Sequence, residues 1–98
     1  MKATLLVRNR IAHSETQFAE IVVWMVTTPL PGSTHAYKYR LAFVSNGECV
    51  LRDDNEAGKG DHRHMNGAEK AYRFSTLDEL FADFERDIRR QQDEDSRP

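Results

Sequence analysis

The chain has little of several residue types, and each shortage excludes a class of protein. The single cysteine, Cys49, excludes an internal disulfide framework and a zinc site built from several cysteines. The longest uninterrupted apolar run, Ile21 to Val26, is far shorter than the ~20 residues that a membrane-spanning helix needs. Arg8 and Arg10 follow a very short apolar start, so no signal-peptide core forms. We therefore expect a soluble cytoplasmic protein with no membrane partner.

The chain also lacks a large excess of either positive or negative charge. The 98 residues carry 14 Lys and Arg against 16 Asp and Glu, a net charge of −2. Residues 1–73 hold ten basic and eight acidic residues, a balance of +2, whereas residues 74–98 hold four and eight, a balance of −4. Bulk charge therefore gives no argument for binding nucleic acid, and a local basic cluster would have to supply one.

Periodicity predicts an α+β fold with an antiparallel meander of four to five strands. A chain of this length builds one compact core, which we place in a single domain over residues 1–90. The segment Phe18–Val26 is apolar on both faces, which is typical of a strand covered on both sides. The expected strands are Ala3–Ile11, Phe18–Val26, His35–Ser45, Glu48–Asp53 and a short one within Lys70–Phe74.

A C-terminal helix is predicted to pack on one face of this sheet. Thr76 and Glu79 have the spacing of a capping box. The helix is expected to end at about Arg90, and residues 91–98 to form a frayed polar tail. Its apolar stripe consists of Leu77, Leu80, Phe81, Phe84 and Ile88.

The dipeptide Asn46-Gly47 predicts a type I′ hairpin turn between two of the strands. A two-residue turn pairs residues whose numbers sum to 93, so that Arg40 faces Asp53. Because side chains alternate, this register places six residues on one face. They are Tyr39, Leu41, Phe43, Val50, Arg52 and Asp54.

Residues 52–64 hold the densest group of reactive side chains. Nine of these thirteen residues are charged or carry an imidazole. We expect Asn55–Gly67 to be a polar loop, either an active site or a solvated surface. The candidate catalytic residues are His62, His64, Lys59 and Asp54, and the candidate substrate ligands are Arg40, Arg52, Lys38 and Asn55.

Three roles suit this set of side chains. The first is metal-independent RNA cleavage, with His62 and His64 as base and acid and with nearby cations stabilising the phosphorane. The second is a metal site formed by His62, His64 and a carboxylate such as Asp54. The third is structural pairing of the acidic residues with Arg40 and Arg52.

Other aromatic and imidazole side chains support weaker hypotheses. Trp24 either belongs to the core or stacks on a base. Tyr37 or Tyr39 could stack in the same way beside basic residues. His13 and His35 are isolated in the sequence, and we expect both to be incidental.

The run Asp54-Asn55-Glu56-Ala57-Gly58-Lys59-Gly60-Asp61-His62-Arg63-His64 resembles the TumE family of toxins, and the resemblance extends over nearly the whole chain to about Arg90. It implies the toxin of a type II toxin–antitoxin system, held inactive by a cognate helix-turn-helix antitoxin. We expect a homodimer or a toxin–antitoxin hetero-oligomer. The family pattern has an aromatic residue where this chain has Asp53, and an acid beside Arg40 would reduce its charge.

The resulting functional hypothesis is a toxin that acts as a metal-independent endoribonuclease and needs no cofactor. The first alternative is a toxin without catalysis that binds and blocks a protein or a nucleic acid. The second is a metal-dependent nuclease.

Overall fold

The computed structural model describes residues 2–96. They form six strands in one antiparallel sheet, in the order of the sequence, followed by one helix. This confirms the predicted α+β meander, with one strand more than expected. The strands are β1 (Ala3–Ala12), β2 (Gln17–Val26), β3 (Tyr37–Ser45), β4 (Glu48–Glu56), β5 (Gly60–Met65) and β6 (Ala68–Ala71), and the helix is α1 (Leu77–Asp95).

Two asparagine–glycine turns build the second half of the sheet. Asn46 and Gly47 have φ angles of 52° and 81°, which confirms the type I′ turn between β3 and β4. Asn66 and Gly67 have φ angles of 52° and 86° and make an equivalent turn between β5 and β6. The expected loop over Asn55–Gly67 is therefore wrong, because most of this segment is strand.

The predicted β3–β4 register holds only next to the turn. Val44 faces Cys49, but Phe43 faces Leu51, so Val50 is an extra residue in β4. Such a bulge reverses the face of every residue that follows it along the strand. Arg40 consequently faces Asp54 rather than Asp53, which corrects the predicted pairing and the predicted common face.

The helix covers one face of the sheet, and its apolar stripe forms the core with the strands beneath it. The expectation that β2 is covered on both sides is wrong, since Phe18, Val22 and Trp24 are only half-buried. We call the uncovered side the open face. The buried apolar cluster on the other side consists of Ala19, Val23, Tyr39, Leu41, Phe43, Leu51, Leu80, Phe84 and Ile88.

Helix α1 begins as predicted but ends later. The Oγ1 atom of Thr76 accepts a hydrogen bond of 3.1 Å from the backbone N–H of Glu79. The helix continues to Asp95 because Gln91 is buried and accepts a hydrogen bond of 3.0 Å from Asn66. The tail predicted over residues 91–98 is thus helical as far as Asp95, and Arg97 and Pro98 lie outside the described residues.

The connection between β2 and β3 is held against the start of β5 by a close backbone approach. A Cβ atom on Gly60 would lie 2.7 Å from the carbonyl oxygen of Gly32, so neither side of this contact has room for a side chain. The N–H of Gly58 donates a hydrogen bond of 2.7 Å to the carbonyl of Pro31. These contacts fix the β4–β5 turn that precedes His62.

Candidate active site on the open face of the sheet

The strand register aligns the predicted site residues in two rows across the open face. Directly opposed residues of neighbouring antiparallel strands project to the same side of a sheet. The first row is Arg8, Val22, Arg40, Asp54 and His62, and the second is Arg10, Glu20, Ala42, Arg52, His64 and Glu69. Four of the predicted residues therefore meet where β4 and β5 run side by side.

His62 is held by a contact at each ring nitrogen. Its Nδ1 lies 3.1 Å from the carbonyl oxygen of Gly60, which can only accept, so Nδ1 carries a proton. Its Nε2 lies 2.7 Å from Oδ1 of Asp54, and the His62 side chain is only 5% exposed. A contact at each ring nitrogen therefore fixes the orientation of the His62 ring.

Asp54 and His62 meet without the alignment of a hydrogen bond. The two atoms lie 2.7 Å apart, yet neither Oδ1 of Asp54 nor Nε2 of His62 has an aligned hydrogen-bond partner in residues 2–96. Both atoms are buried. Nε2 of His62 is thus not committed to a hydrogen bond.

Arg52 connects the carboxylate to the second histidine. Its Nε lies 3.1 Å from Oδ2 of Asp54, and its terminal nitrogen lies 3.0 Å from Nε2 of His64. Because a guanidinium only donates, Nε2 of His64 is the acceptor in this contact. The two imidazole rings lie edge to face, with centroids 5.1 Å apart.

Glu69, which the sequence analysis missed, completes this cluster. Its Oε1 lies 3.4 Å from Nζ of Lys59, 3.7 Å from Nε2 of His62 and 4.0 Å from Nε2 of His64. One carboxylate oxygen thus occupies a position shared by an ammonium group and two imidazoles. The side chains of Lys59 and Glu69 are 55% and 40% exposed, so an outside anion can replace this oxygen.

The remaining predicted substrate ligands divide between the two faces. Arg40 is exposed beside Asp54 and makes no ion pair within residues 2–96. Lys38 is exposed, and its Nζ donates a hydrogen bond of 3.4 Å to the backbone oxygen of Asn55. The side chain of Asn55 points to the helix-covered side, where it binds backbone atoms of Tyr39 and Tyr37. The structure does not bring Asn55 to the cluster.

His35, expected to be incidental, belongs to a buried network behind the site. Its Nδ1 accepts from the N–H of Tyr37, so its Nε2–H donates to Asp61 over 2.7 Å. The Asp61 carboxylate also accepts from Ser33 at 2.8 Å and from Tyr39 at 2.8 Å. No local sequence signal predicts this network, because Asp61 lies 22 to 28 residues after Ser33, His35 and Tyr39 in the chain.

Asp53 lies in a second buried network, which corrects its expected pairing with Arg40. It faces Leu41 on the covered side, and its Oδ1 lies 3.5 Å from Nε of Arg63. Arg63 also lies 3.2 Å from Asp87 of α1. Burial raises the pKa of Asp53 from 3.8 to about 6, and Asp87 adds to this rise, although Arg63 opposes it.

The donor set of the cluster also suits a transition metal. One ligand atom from each of Asp54, His62 and His64 lies within 4.8 Å of the others. However, the Arg52 guanidinium lies between the carboxylate and His64 and already provides positive charge there. A metal ion bound to all three residues would have to displace Arg52.

Fold and site together define a small α+β domain with a histidine–carboxylate–arginine cluster on the open face of an antiparallel sheet. A sequence model of the family described as Toxin TumE matches residues 2–92. The chain therefore belongs to the TumE family, as the resemblance implied, and is a toxin. Comparison with curated proteins and with solved structures gave no significant match.

Within residues 2–96, no helix combines the length and the apolar character needed to cross a membrane.

Proposed function

We propose that this toxin acts on RNA as a metal-independent endoribonuclease in the cytoplasm. The observation that carries the proposal is the position of Oε1 of Glu69, within 4.0 Å of Lys59, His62 and His64. An anionic oxygen already sits between one ammonium group and two imidazoles. A phosphodiester oxygen of RNA has the same charge and replaces Glu69 when substrate binds.

The neighbouring cations hold the substrate around this position. Arg52 and Arg40 lie on the same face as the histidines, and Lys38 lies one row further along β3. Guanidinium groups bind phosphate oxygens in a bidentate manner. Lys59 neutralises the charge that develops on the phosphorane, since it is the cation closest to the displaced carboxylate.

We assign proton transfer to the two histidines, because the Nε2 atoms of both lie within 4.0 Å of Oε1 of Glu69. When the phosphate draws Arg52 away, Nε2 of His64 takes the proton of the ribose 2′-hydroxyl, and the 2′ oxygen attacks phosphorus. The bond from phosphorus to the 5′ oxygen breaks, and Nε2–H of His62 protonates that leaving oxygen. The products are a 2′,3′-cyclic phosphate and a 5′-hydroxyl. Asp54 positions His62 through the contact of 2.7 Å at Nε2.

The test is cleavage of a labelled single-stranded RNA by purified toxin in the presence of EDTA. We expect wild type to cleave and to leave 2′,3′-cyclic phosphate ends, and His64→Gln to lose at least about 100-fold in rate. The matched control is His13→Gln, since His13 is exposed and lies on the β1–β2 connection. Absence of cleavage by well-folded wild type would refute the nuclease and favour a toxin that only binds and blocks its target.

A metal-dependent nuclease is the second candidate, favoured by the convergence of Asp54, His62 and His64 within 4.8 Å. The same assay separates the two mechanisms. Cleavage that stops in EDTA and returns with Zn²⁺ or Mn²⁺ supports the metal mechanism, whereas cleavage unaffected by EDTA supports proton transfer by the histidines alone.

The proposal includes inhibition by a cognate helix-turn-helix antitoxin in a toxin–antitoxin complex. The sheet offers two edge strands, β1 and β6, and both are exposed along most of their length. A partner that pairs with β6 would lie beside Glu69 and block access to the cluster. Co-expression should restore growth, and a bound antitoxin should abolish RNA cleavage.

A further inference from the structure

We propose that the open face carries a binding track for single-stranded RNA, running from the histidine cluster across β3 and β2 to the edge strand β1. In this track Arg8 binds a phosphate remote from the scissile bond, and Trp24 stacks on a base. The inference rests on the proposed action on RNA and assigns roles to two residues outside the active site.

The first cross-strand row sets the course and length of the track. Arg8, Val22, Arg40, Asp54 and His62 are successive partners across five strands. With neighbouring strands about 4.8 Å apart, Arg8 lies roughly 19 Å from His62. RNA-binding sheets of similar width stack two or three bases, so this distance accommodates several nucleotides.

Two arginines of this row are free to bind phosphate. Arg8 and Arg40 are exposed on either side of Val22, and neither makes an ion pair within residues 2–96. Arg10, by contrast, is occupied by the Phe18 ring at 3.9 Å and by Glu20 at 3.8 Å. Arg8 is therefore the arginine of β1 that remains available for a phosphate.

The surface around Arg8 is concave. A cavity of about 330 Å³ is lined by Arg8, Asn9, Arg10, Glu20 and Val22. It places the exposed Arg8 beside the apolar Val22, while the Glu20 carboxylate in the same lining is paired with Arg10 at 3.8 Å.

Trp24 provides the aromatic surface next to this cavity. It lies two residues beyond Val22 on the same face of β2, is half-buried, and is paired with Lys38 of β3. Stacking on an indole tolerates any base, and a neighbouring cation binds the adjacent phosphate. A tryptophan and a lysine at opposed positions of an open sheet thus match a single-stranded nucleic acid.

The dimensions favour single-stranded over double-stranded RNA. Domains that bind the duplex contact about 16 base pairs and span two minor grooves, whereas this face extends only about 19 Å from Arg8 to His62. An unpaired strand also exposes the base that Trp24 needs for stacking.

The test measures binding of a labelled 2′-O-methyl oligouridine of about twelve nucleotides. This probe lacks the 2′-hydroxyl and cannot be cleaved, so binding is separated from catalysis. We expect Arg8→Gln to weaken binding about fivefold and to reduce the slope of log affinity against log salt by about 0.7, the value for one phosphate contact on a single strand. Trp24→Leu should weaken binding about tenfold without changing the slope.

The matched control is Arg90→Gln, which removes the same charge from the helix side of the molecule, where Arg90 is exposed. It should bind as wild type. Since Trp24→Leu could disturb folding, Trp24→Phe provides a second variant, and it should retain most of the affinity because a ring remains.

The outcomes separate this inference from the proposed function. Binding that depends on Arg8 and Trp24, in a protein that cleaves no RNA, would keep the track and refute the nuclease. Cleavage that depends on His64, with Arg8→Gln and Arg90→Gln indistinguishable in affinity and salt slope, would keep the nuclease and overturn the track. Failure to bind the probe at all would overturn the track and indicate a protein target for this face.

Discussion

The Nε2 atom of His62 lies 2.7 Å from Oδ1 of Asp54, the residue directly opposite it in the β4–β5 register. An amide in place of this carboxylate removes the negative charge beside the proposed proton donor. We therefore expect Asp54→Asn to lower the rate of RNA cleavage by about 100-fold. The unchanged far-ultraviolet circular dichroism of the variant would show that the sheet persists.

The control for this substitution is Asp78→Asn, which makes the same chemical change at an exposed position in the first turn of α1. It should cleave as wild type does. If Asp54→Asn retained the full rate, the assignment of His62 as proton donor would be wrong.

Glu69 competes with substrate in the proposed mechanism. Glu69→Gln removes the charge that lies 3.4 Å from Lys59 and should tighten binding of single-stranded RNA about threefold, a typical value for an exposed ion pair. Fluorescence anisotropy at low salt measures the effect. The control is Glu94→Gln, which alters an exposed residue near the end of α1 and should leave affinity unchanged. An equal gain in affinity in both variants would indicate a general charge effect and no competition between Glu69 and RNA.

The buried carboxylate of Asp61 is expected to be essential for stability. Asp61→Ala leaves Ser33, His35 and Tyr39 without the acceptor that they share, at a position where the Asp61 side chain is 7% exposed. Loss of hydrogen bonds from buried donors should lower the free energy of unfolding by about 3 kcal/mol. Urea denaturation measures this loss.

Asp93→Ala is the control for Asp61→Ala, because Asp93 is exposed on the last turns of α1 and should change the unfolding free energy by less than about 0.5 kcal/mol. Similar midpoints for the two variants would contradict the role of Asp61 as the shared acceptor.

Asp53 should make stability depend on pH. Burial raises the pKa of this carboxyl from 3.8 to about 6, so the folded chain binds the proton more tightly than the unfolded chain does. Its contribution is fully present below about pH 4 and is lost as the pH rises through about 6, an effect of about 3 kcal/mol. Thermal melts of wild type and Asp53→Asn between pH 4 and pH 8 measure it.

The expected signature is a difference between the two proteins, since other groups titrate in both. The stability of wild type relative to Asp53→Asn should fall as pH rises from 4 to 7. A constant difference would show that Arg63, 3.5 Å away, keeps Asp53 ionised throughout this range.

Local signals determined much of this protein. The Asn46-Gly47 turn, the N-cap at Thr76 and the apolar stripe of the helix specify structure through neighbouring residues, and all three are confirmed. Asn66-Gly67 carries the same turn signal but stands in a polar segment, whose composition predicts a loop. Polar composition was misleading there because the charged side chains are paired across strands and are partly buried.

The sequence by itself determined the meander, its final helix and the group of residues that supplies the site, since these follow from short-range periodicity and a local run of residue types. Only the tertiary structure decided which of those residues meet. The single bulge at Val50 turns Arg52 and Asp54 to the open face and Asp53 and Asn55 to the covered one. A strand has a period of two, so one extra residue reverses every later side chain, and its position depends on packing against residues distant in the chain.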